Sequence, residues 1–413
     1  MIQVAIIGTG GIANAHIQAY LQFPQRCKIV ALVDIVPEKA ERMKEQYRLT
    51  EAQVYSSHRE VLDRKDIDLA DVCTPPFVHA CISIDCLRAG MNVVCEKPMA
   101  ASLEECDAML RARDESGKKL SIIAQNRFRQ PIRNLKALLD SGIAGEVRSA
   151  QVDSFWWRGH CYYDLWWRGT WEKEGGGCTL NHAVHHIDML LWMMGMPESV
   201  TSVLSNVAHD NAQVEDLSMS ILRYPHSLAQ LTASVVHHGE EQRLVFQCEK
   251  AKIAAPFECF ASVSMPNGFP ERDEALEKQI EAFAASQPQI KWEGHAGQLE
   301  NILSALENDA PLAITGEDGR RTIEMICAVY KSGSEGKTVL LPLKADDPFY
   351  TVGGIMKHAP HFYEKTTSAA SLDGVITLGS TYRSKEAAEK KSFSRQNESS
   401  SQTHTSSVVT QEE

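Results

Sequence analysis

The chain has 413 residues, of which 43% are hydrophobic and 23% are charged, and this globular composition excludes collagen-like and intrinsically disordered chains. At roughly 150 residues per domain, the length predicts two or three domains that each bury a core. The 54 acidic residues outnumber the 42 basic ones and give a net charge of −12, which argues against a nucleic-acid or anionic-membrane partner.

The N-terminal segment and the cysteines bear on location. The apolar run from Val4 follows no cationic stretch and ends in glycines, which predicts a strand entering a turn rather than a signal peptide. No run approaches the roughly 18 apolar residues of a membrane helix. Eleven cysteines without a C-x-x-C pair favour reduced thiols over a disulfide framework or a zinc ribbon. The sequence therefore predicts a cytoplasmic protein without a membrane partner.

Residues 1–125 alternate short apolar runs with helical periods. Strands are predicted at residues 3–7, 28–33, 69–73, 92–95 and 120–124, and helices at 12–22, 38–46, 79–89 and 103–116. This alternation predicts an α/β domain in which a parallel sheet lies between two layers of helices.

After residue 125 long strands follow one another with short turns. Strands are predicted at 146–155, 200–207, 217–224, 228–236, 244–248 and 251–255, and helices at 132–141, 179–194, 275–285, 297–308 and 320–332. The pattern predicts an α+β domain with an antiparallel sheet over residues 126–342. Residues 343–391 are a less regular C-terminal extension. Ten of the last 22 residues are Ser or Thr, which predicts a disordered tail over 392–413.

A glycine-rich turn follows the first predicted strand and opens the first predicted helix. Its sequence, G-x-G-x-x-A, comprises Gly8, Thr9, Gly10, Gly11, Ile12 and Ala13. The first glycine permits a tight turn, the second lets the backbone approach a pyrophosphate, and the small alanine lets helix and strand pack closely. The helix N-terminus supplies N–H groups for the phosphates, so the turn predicts a bound dinucleotide.

Asp34 ends the second predicted strand, 24 residues after Gly10, where a carboxylate accepts hydrogen bonds from an adenosine ribose. The three residues after it include no Arg that could hold a 2′-phosphate, so the sequence predicts NAD rather than NADP. The alternative role for Asp34 is an N-terminal cap of the helix that begins near Pro37.

Two further segments fall at the carboxyl edge of the predicted parallel sheet. Thr74, Pro75 and His79 follow one strand and are candidates for cofactor contact, although His79 could equally cap a helix or lie at the surface. Lys97 follows the next strand, where it could hydrogen-bond a reacting oxygen and stabilise alkoxide character as hydride leaves. By residue type alone, Lys97 would be a solvated surface lysine.

A glycine triplet at residues 175–177 precedes the predicted helix at 179–194. Within that helix Asn181, His185 and Asp188 fall at i, i+4 and i+7, hence on one face. An imidazole with a pKa near 6.5 suits proton abstraction from an alcohol, and Asn181 could bind a neighbouring hydroxyl. Core and capping histidines are the alternative.

A metal interpretation of the same segment also exists. Cys178, His182 and either His185 or His186 have helical spacings that could ligate zinc. However, Cys178 and His182 lie on a somewhat different face from His185, and no other paired ligand motif occurs nearby. The sequence therefore predicts no metal.

Five of the seven tryptophans fall between residues 156 and 171, with tyrosines and charged residues among them. Aromatic faces pack against the C–H faces of sugar rings, and a cationic Arg168 could hold a carboxylate. The loop therefore favours a carbohydrate-sized polar substrate, with Trp157, Tyr163 and Arg168 as candidate contacts. A hydrophobic plug or a subunit interface is the alternative.

Together these segments resemble the glucose–fructose oxidoreductase and inositol dehydrogenase (Gfo/Idh/MocA) family over residues 1–342. The matching residues are 8–13, 34, 74–79, 96–98 (Glu-Lys-Pro), 125–127 (Gln-Asn-Arg), 167–169 and 175–188. The Glu-Lys-Pro segment together with the glycine-led helix is highly specific to this family.

The resemblance implies an N-terminal Rossmann domain that binds NAD and a C-terminal α+β domain with a large open antiparallel sheet, which often forms dimers or tetramers. It implies that Lys97 and His185 are catalytic and also contact substrate. It implies that Glu96, Lys97 and Asn126 contact the cofactor. The implied substrate contacts further include Arg127, Asn181 and Asp188. Many members carry an Asp four residues before the helix histidine; Asn181 stands there in this chain, which bears on the substrate set.

The sequence thus predicts an NAD-dependent oxidoreductase that transfers hydride between nicotinamide and a hydroxyl carbon of a sugar, sugar acid or cyclitol. One alternative is an enzyme that recycles its bound NAD while it cleaves a glycoside or epimerises a sugar. Another is a non-catalytic sensor on the same fold.

Overall fold

The computed structural model describes residues 1–370, so the predicted tail at 392–413 and the end of the predicted extension lie outside the described residues. Its first sheet has six parallel strands in the order β3-β2-β1-β4-β5-β6. The strands are β1 (Ile2–Ile7), β2 (Cys27–Val33), β3 (Gln53–Tyr55), β4 (Leu69–Val72), β5 (Asn92–Cys95) and β6 (Leu120–Ile122). This confirms the predicted α/β architecture; β3, with three residues, is too short to show an alternating pattern.

Four helices connect these strands: α1 (Ala13–Tyr20), α2 (Pro37–Gln46), α3 (His79–Arg88) and α4 (Leu103–Ser116). The strand order reverses between β1 and β4, and ligands bind sheets of this kind in the crevice at the carboxyl ends of such strands. A distant helix, α9 (Gly294–Asn308), packs against α1 and contributes Leu299, Ile302 and Leu303 to the core on that face. The first sheet is therefore covered in part by residues from beyond position 126.

The second sheet has nine strands in the order β14-β13-β12-β11-β7-β10-β9-β8-β15. They are β7 (Val147–Phe155), β8 (Ser199–Ser205), β9 (Leu217–Arg223), β10 (Leu228–Ser234), β11 (Gln242–Cys248), β12 (Ala251–Ala255), β13 (Glu258–Ser264), β14 (Pro270–Arg272) and β15 (Val339–Leu340). All neighbours are antiparallel except β7 and β10, which run parallel. The sheet is therefore mixed and mostly antiparallel, as the predicted second domain requires.

The remaining helices are α5 (Gln130–Ser141), α6 (Cys178–Asn181), α7 (Val184–Met194), α8 (Glu274–Ala285), α10 (Gly316–Glu335) and α11 (Val352–His358). Helices α5, α7, α8 and α10 contact the second sheet, and the buried residues that alternate along β8 and β9 face this helical layer. The other face of the sheet carries exposed apolar side chains. Within the described part of the chain, no helix is both long enough and apolar enough to cross a membrane.

The prediction of one continuous helix over residues 179–194 is wrong. The chain forms the short α6, breaks at His182 and Ala183, and resumes as α7. Asn181 and His185 therefore lie on different helices, and their spacing does not place them on one helical face.

Candidate active site

The glycine turn lies between β1 and α1, at the carboxyl edge of the first sheet. Gly8 has φ +96°, and a Cβ there would lie 2.7 Å from the carbonyl oxygen of Cys73, so the turn requires glycine. A Cβ at Gly10 would meet no atom within 4 Å, so that side of the turn is open. Ile12 immediately precedes α1, and Ala13 is fully buried. An open turn below a helix N-terminus fits a pyrophosphate group.

Asp34 lies beside this turn at the end of β2. Its Oδ2 accepts hydrogen bonds from the main-chain N–H and the hydroxyl of Thr9, at 2.9 and 2.8 Å, and its Oδ1 accepts one from Val36 N–H at 2.9 Å. The carboxylate is therefore fixed next to the phosphate turn, and the N-terminal cap residue of α2 is Val36 rather than Asp34.

Three buried polar atoms follow the first-sheet strands without a hydrogen-bond partner among residues 1–370: the Thr74 hydroxyl, the Gln125 Oε1 and the Asn126 Oδ1. Buried polar atoms in native proteins are almost always paired, so these three fit a bound polar group such as a dinucleotide. His79 is differently placed. Its Nδ1 and Nε2 lie 2.8 Å from the Pro98 carbonyl and 2.7 Å from the Thr74 carbonyl, so the ring lies between two loops at the cofactor edge and its one N–H donates to one of these carbonyls.

Glu96, predicted to contact the cofactor, lies in a buried charge network. Its Oε1 is 2.9 Å from Nε2 of His16, whose Nδ1 is 2.8 Å from Asp71, and its Oε2 accepts the Lys97 N–H at 3.0 Å. Burial opposes the charge of His16, but the Asp71 carboxylate outweighs it and raises the His16 pKa well above its usual value. No sequence pattern distinguishes His16 beyond its place on α1, and tertiary packing alone brings it between two carboxylates.

Lys97 and His185 line the same small cavity, which lies between the domain of the first sheet and the domain of the second sheet. The Lys97 ammonium makes one weak hydrogen bond, to the Asn181 carbonyl at 3.4 Å. Burial lowers the Lys97 pKa, against the Glu96 carboxylate. Burial also lowers the His185 pKa well below 6.5, and the neighbouring Lys97 charge adds to this effect. The pair therefore offers a neutral imidazole and a hydrogen-bond donor side by side.

The glycine triplet positions α6 by close packing. A Cβ at Gly177 would lie 1.8 Å from the Glu215 carbonyl oxygen, and one at Gly176 would lie 2.0 Å from the Tyr330 hydroxyl. The Asn181 amide donates to the Gly176 carbonyl at 2.9 Å. Asn181 thus holds the triplet with its amide and Lys97 with its main-chain oxygen; a contact between its side chain and substrate stays a prediction.

Arg127 and Asp188, both predicted to bind substrate, bind each other, and Asp188 also lines the cavity of Lys97 and His185, so their contact with substrate stays a prediction. Arg127 Nε and Nη2 donate to the two Asp188 oxygens at 2.8 and 2.7 Å, and Nη2 also reaches Asp318 at 3.3 Å. The side chains are only 5% and 7% exposed. This bidentate pair joins the segment after β6 to α7 and α10, so the two residues have a structural role that their sequence positions do not indicate.

The aromatic loop divides into a core part and a polar part. Trp157 is 45% exposed and stacks on His238, whereas Trp171 and Tyr163 are 1% exposed. Because Tyr163 is buried in the core, it is unsuited to the predicted substrate contact. Its neighbour Tyr162 is only half-buried, because successive side chains of the short 3₁₀ helix His160–Asp164 point in different directions.

Tyr162 contacts two polar side chains, His182 and Arg168, at one corner of the cleft. Its hydroxyl lies 3.3 Å from Nε2 of His182, and the Arg168 guanidinium stacks over its ring at 4.1 Å. Arg168 also stacks over Trp167 at 4.0 Å and pairs with Glu174 at 2.6 Å. Tyr162 and His182 are absent from the predicted substrate contacts, since nothing in the sequence distinguishes them from their neighbours.

The zinc alternative receives no geometric support. Cys178 is buried and its thiol faces the Ala233 carbonyl, while His182 contacts Tyr162. Among residues 1–370, both groups that are close enough to share a metal ion centre on His16, and neither includes Cys178, His182, His185 or His186.

Comparison with known proteins identifies both parts of the chain. Residues 2–124 match the profile of the Gfo/Idh/MocA oxidoreductase family, NAD-binding Rossmann fold, and residues 132–254 match the Gfo/Idh/MocA C-terminal domain. The structure is similar to the WlbA dehydrogenase of Bordetella pertussis in complex with NADH and UDP-GlcNAcA, with a TM-score of 0.72 and 27% identity over 83% of this chain and 98% of that one.

Two curated relatives show the range of similar proteins. Inositol 2-dehydrogenase of Rhizobium meliloti is 25% identical over 82% of this chain and 98% of its own length. A 2,7-anhydro-N-acetylneuraminate hydratase of Mediterraneibacter gnavus is 30% identical over 51% of this chain. This chain spans about half the length of that hydratase, 54%, and of an uncharacterised oxidoreductase of Streptococcus pneumoniae, 57%.

Proposed function

Because the chain belongs to the Gfo/Idh/MocA oxidoreductase family and carries its NAD-binding Rossmann domain, we propose that it transfers hydride between NAD and a hydroxyl carbon of a sugar, sugar acid or cyclitol. The observation that carries the proposal is the meeting of Lys97 and His185 in one cavity at the carboxyl edge of the first sheet. The two side chains come from different domains, so the cleft between the domains holds the reacting carbon.

In the oxidising direction the substrate hydroxyl lies between the two residues. His185 is neutral at pH 7 because burial lowers its pKa, so its imidazole accepts the hydroxyl proton. Lys97 donates a hydrogen bond to the same oxygen and stabilises its developing negative charge. NAD, which the turn at residues 8–13 and Asp34 would hold, would supply the hydride acceptor when bound, and oxidation of the hydroxyl carbon would leave a carbonyl product.

A screen for NADH formation tests this function. The full chain is incubated with NAD and panels of sugars, uronates and inositols, and absorbance at the nicotinamide band is followed. Steady NADH formation with at least one panel member is expected; no turnover across the panel supports the sensor alternative.

The similarity to an enzyme called a hydratase favours one second candidate, in which bound NAD is reduced and reoxidised within each turnover. Product analysis without added NAD separates the two. Conversion of substrate with no net NADH supports the recycling enzyme, whereas conversion that consumes one NAD per product supports the dehydrogenase.

We further propose that Asp34 selects NAD over NADP, because its carboxylate is held by Thr9 where the ribose hydroxyls of the cofactor would lie. Asp34→Asn is expected to raise the Kd for NADH by roughly 10–100-fold, the size of a lost charged hydrogen bond. Its effect on NADPH should be smaller, because the mutation also removes a repulsive charge. Titration by nicotinamide fluorescence measures both.

The matched control is Thr9→Val, which removes one hydrogen bond to the same carboxylate and leaves its charge. This variant should keep the NADH-to-NADPH preference of the wild type. An unchanged preference in Asp34→Asn would contradict the assignment and return Asp34 to a purely structural role.

We also propose a homo-oligomer, a dimer or tetramer, formed through the second sheet. Val203, Met219, Ile221 and Leu228 are 70%, 52%, 50% and 47% exposed, and the strand register places them on the same uncovered face. Contiguous exposed apolar surface of this kind marks interfaces. Light scattering should give a multiple of the 45.9 kDa chain mass.

Ile221→Lys should lower that mass toward the monomer, since it places a charge in the contact. Ala282→Lys on the exposed side of α8 adds the same charge away from the sheet and should leave the mass unchanged. A wild-type monomer, or an Ile221→Lys oligomer of unchanged mass, would exclude this face.

A reducing compartment such as the cytoplasm is consistent with the thiols. All eleven cysteines are free, and most are buried. Burial raises the pKa of buried thiols such as Cys86 to about 12, which keeps them unreactive.

A further inference from the structure

The Arg168 guanidinium has one edge without a protein partner. Its Nη1 donates to Glu174 Oε1 at 2.6 Å, and its two faces are covered by the rings of Trp167 and Tyr162. Its Nε is buried and has no hydrogen-bond partner among residues 1–370. Nε and Nη2 together form the side-on fork that accepts a carboxylate. The ion pair with Glu174 and the two stacked rings therefore fix the orientation of the guanidinium, and its Nε–Nη2 edge is left for a ligand.

His182 provides a second buried, unpartnered nitrogen next to Arg168. The residue is 8% exposed; its Nε2 meets the Tyr162 hydroxyl at 3.3 Å, and its Nδ1 has no partner in the described part of the chain. When the phenol donates to Nε2, the single proton of the neutral imidazole lies on Nδ1, which then is a free donor. Burial, together with the charges of Arg158, Arg168 and Lys97, lowers the pKa of His182 well below its usual value, so the ring is neutral.

The carboxylates near this corner are already engaged. Glu174 is 1% exposed and accepts hydrogen bonds from Arg168 and, at 2.6 Å, from the Gly169 N–H. Glu240 pairs with Arg158, the other cation beside Tyr162. Glu96 faces His16. Among residues 1–370, the carboxylates that contact this corner are thus paired with other groups, so the donors of Arg168 and His182 stay available to a ligand.

We propose that Arg168 and His182 hold a carboxylate of the substrate beside Lys97 and His185, so that the enzyme acts on a sugar acid in preference to a neutral sugar. This inference rests on the proposed function and narrows its substrate class. We commit to a carboxylate because the planar fork of Arg168 matches its two coplanar oxygens, and a phosphate is one arm of the test below.

The first experiment uses matched pairs of probes. D-glucuronate is compared with D-glucose, and D-galacturonate with D-galactose, as ligands of the NADH-loaded full chain in calorimetry and as substrates with NAD. Glucose 6-phosphate forms the phosphate arm. The acid of at least one pair is expected to bind roughly 10–100-fold more tightly than its neutral partner, which is the range of one charge-assisted hydrogen-bond pair.

Arg168→Lys tests the role of the guanidinium fork. It keeps a cation for Glu174 but has no second edge, so acid binding should weaken by roughly 10-fold or more while neutral-sugar binding does not change. In Arg168→Gln with Glu174→Gln both charges are absent and no buried charge is left unpaired; its acid preference should vanish. The matched control is Arg158→Lys, the same change on the cation paired with Glu240, which should keep the wild-type acid preference.

Several outcomes overturn the proposal. The neutral sugars could bind as tightly as their acids, or the acids could neither bind nor react. Glucose 6-phosphate could bind more tightly than any acid. Arg168→Lys could weaken the binding of acids and neutral sugars equally, which is the behaviour of a purely structural arginine. NADH formation from neutral sugars alone overturns the acid site and leaves hydride transfer standing. Acid binding without NADH formation in any arm overturns hydride transfer and leaves the acid site standing.

Discussion

Lys97→Met and His185→Asn are each expected to lose roughly 10²–10⁴ in kcat, the usual contribution of a positioned acid or base, while binding NADH as the wild type does. Lys97 makes one weak hydrogen bond to the Asn181 carbonyl, and no hydrogen bond of the His185 ring is found among residues 1–370. The fold therefore depends little on either polar group, and their loss should affect chemistry rather than stability.

The pH dependence gives a sharper test of His185. The oxidising reaction needs the neutral imidazole, and burial together with the Lys97 charge lowers its pKa well below 6.5. The wild-type kcat/KM should stay level as pH falls through 6.5 and should decline only below the lowered pKa. In Lys97→Met the neighbouring charge is gone, so the His185 pKa should rise and the acid limb should move to higher pH.

His186→Asn is the matched control for His185→Asn, because the adjacent histidine is buried outside the cavity that Lys97 lines. After correction for any change in stability, its kcat should remain within a few fold of the wild type. Full activity of His185→Asn, or an acid limb that does not respond to Lys97→Met, would contradict the assigned roles.

Arg127→Met is expected to lower the free energy of unfolding by about 3–5 kcal/mol, because it leaves the buried Asp188 carboxylate without its cation. The bidentate contacts at 2.8 and 2.7 Å and the 5% exposure of Arg127 identify the pair as a support that joins the segment after β6 to α7. Urea unfolding followed by circular dichroism measures the loss.

A double-mutant cycle separates the pair from its surroundings. Arg127→Met combined with Asp188→Leu removes both charges and should recover part of the lost stability, since no uncompensated charge remains at that position. If Arg127→Met keeps wild-type stability but raises the KM for substrate, Arg127 binds substrate after all and the structural assignment fails.

The cofactor half of the site follows from local sequence. A tight turn after a strand needs glycine at position 8, and a carboxylate at the end of the next strand reaches that turn because adjacent parallel strands end at the same edge. The same rule places Lys97 at the carboxyl edge. Short-range pattern and sheet geometry are sufficient for these residues.

The substrate half depends on contacts that no local pattern contains. Helical spacing placed Asn181 and His185 on one face, but the helix breaks between them at His182 and Ala183. Arg127 and Asp188 each resemble a ligand-binding residue by type, yet they satisfy each other. Residue type gives the chemistry that a side chain is capable of, and only its neighbours decide whether that capacity is used inside the protein.

The sequence by itself thus determined the α/β nucleotide-binding domain, the second sheet and the phosphate turn, because periodicity and short motifs encode them, whereas the pairing of Lys97 with His185 was implied only by the family resemblance. Only the tertiary structure decided that His16 is held between Asp71 and Glu96, that Tyr162 rather than Tyr163 faces the cleft, and that Arg168 keeps a free edge. These outcomes depend on which buried charges and hydrogen-bonding groups find partners far away in the chain, and that pairing is fixed by packing.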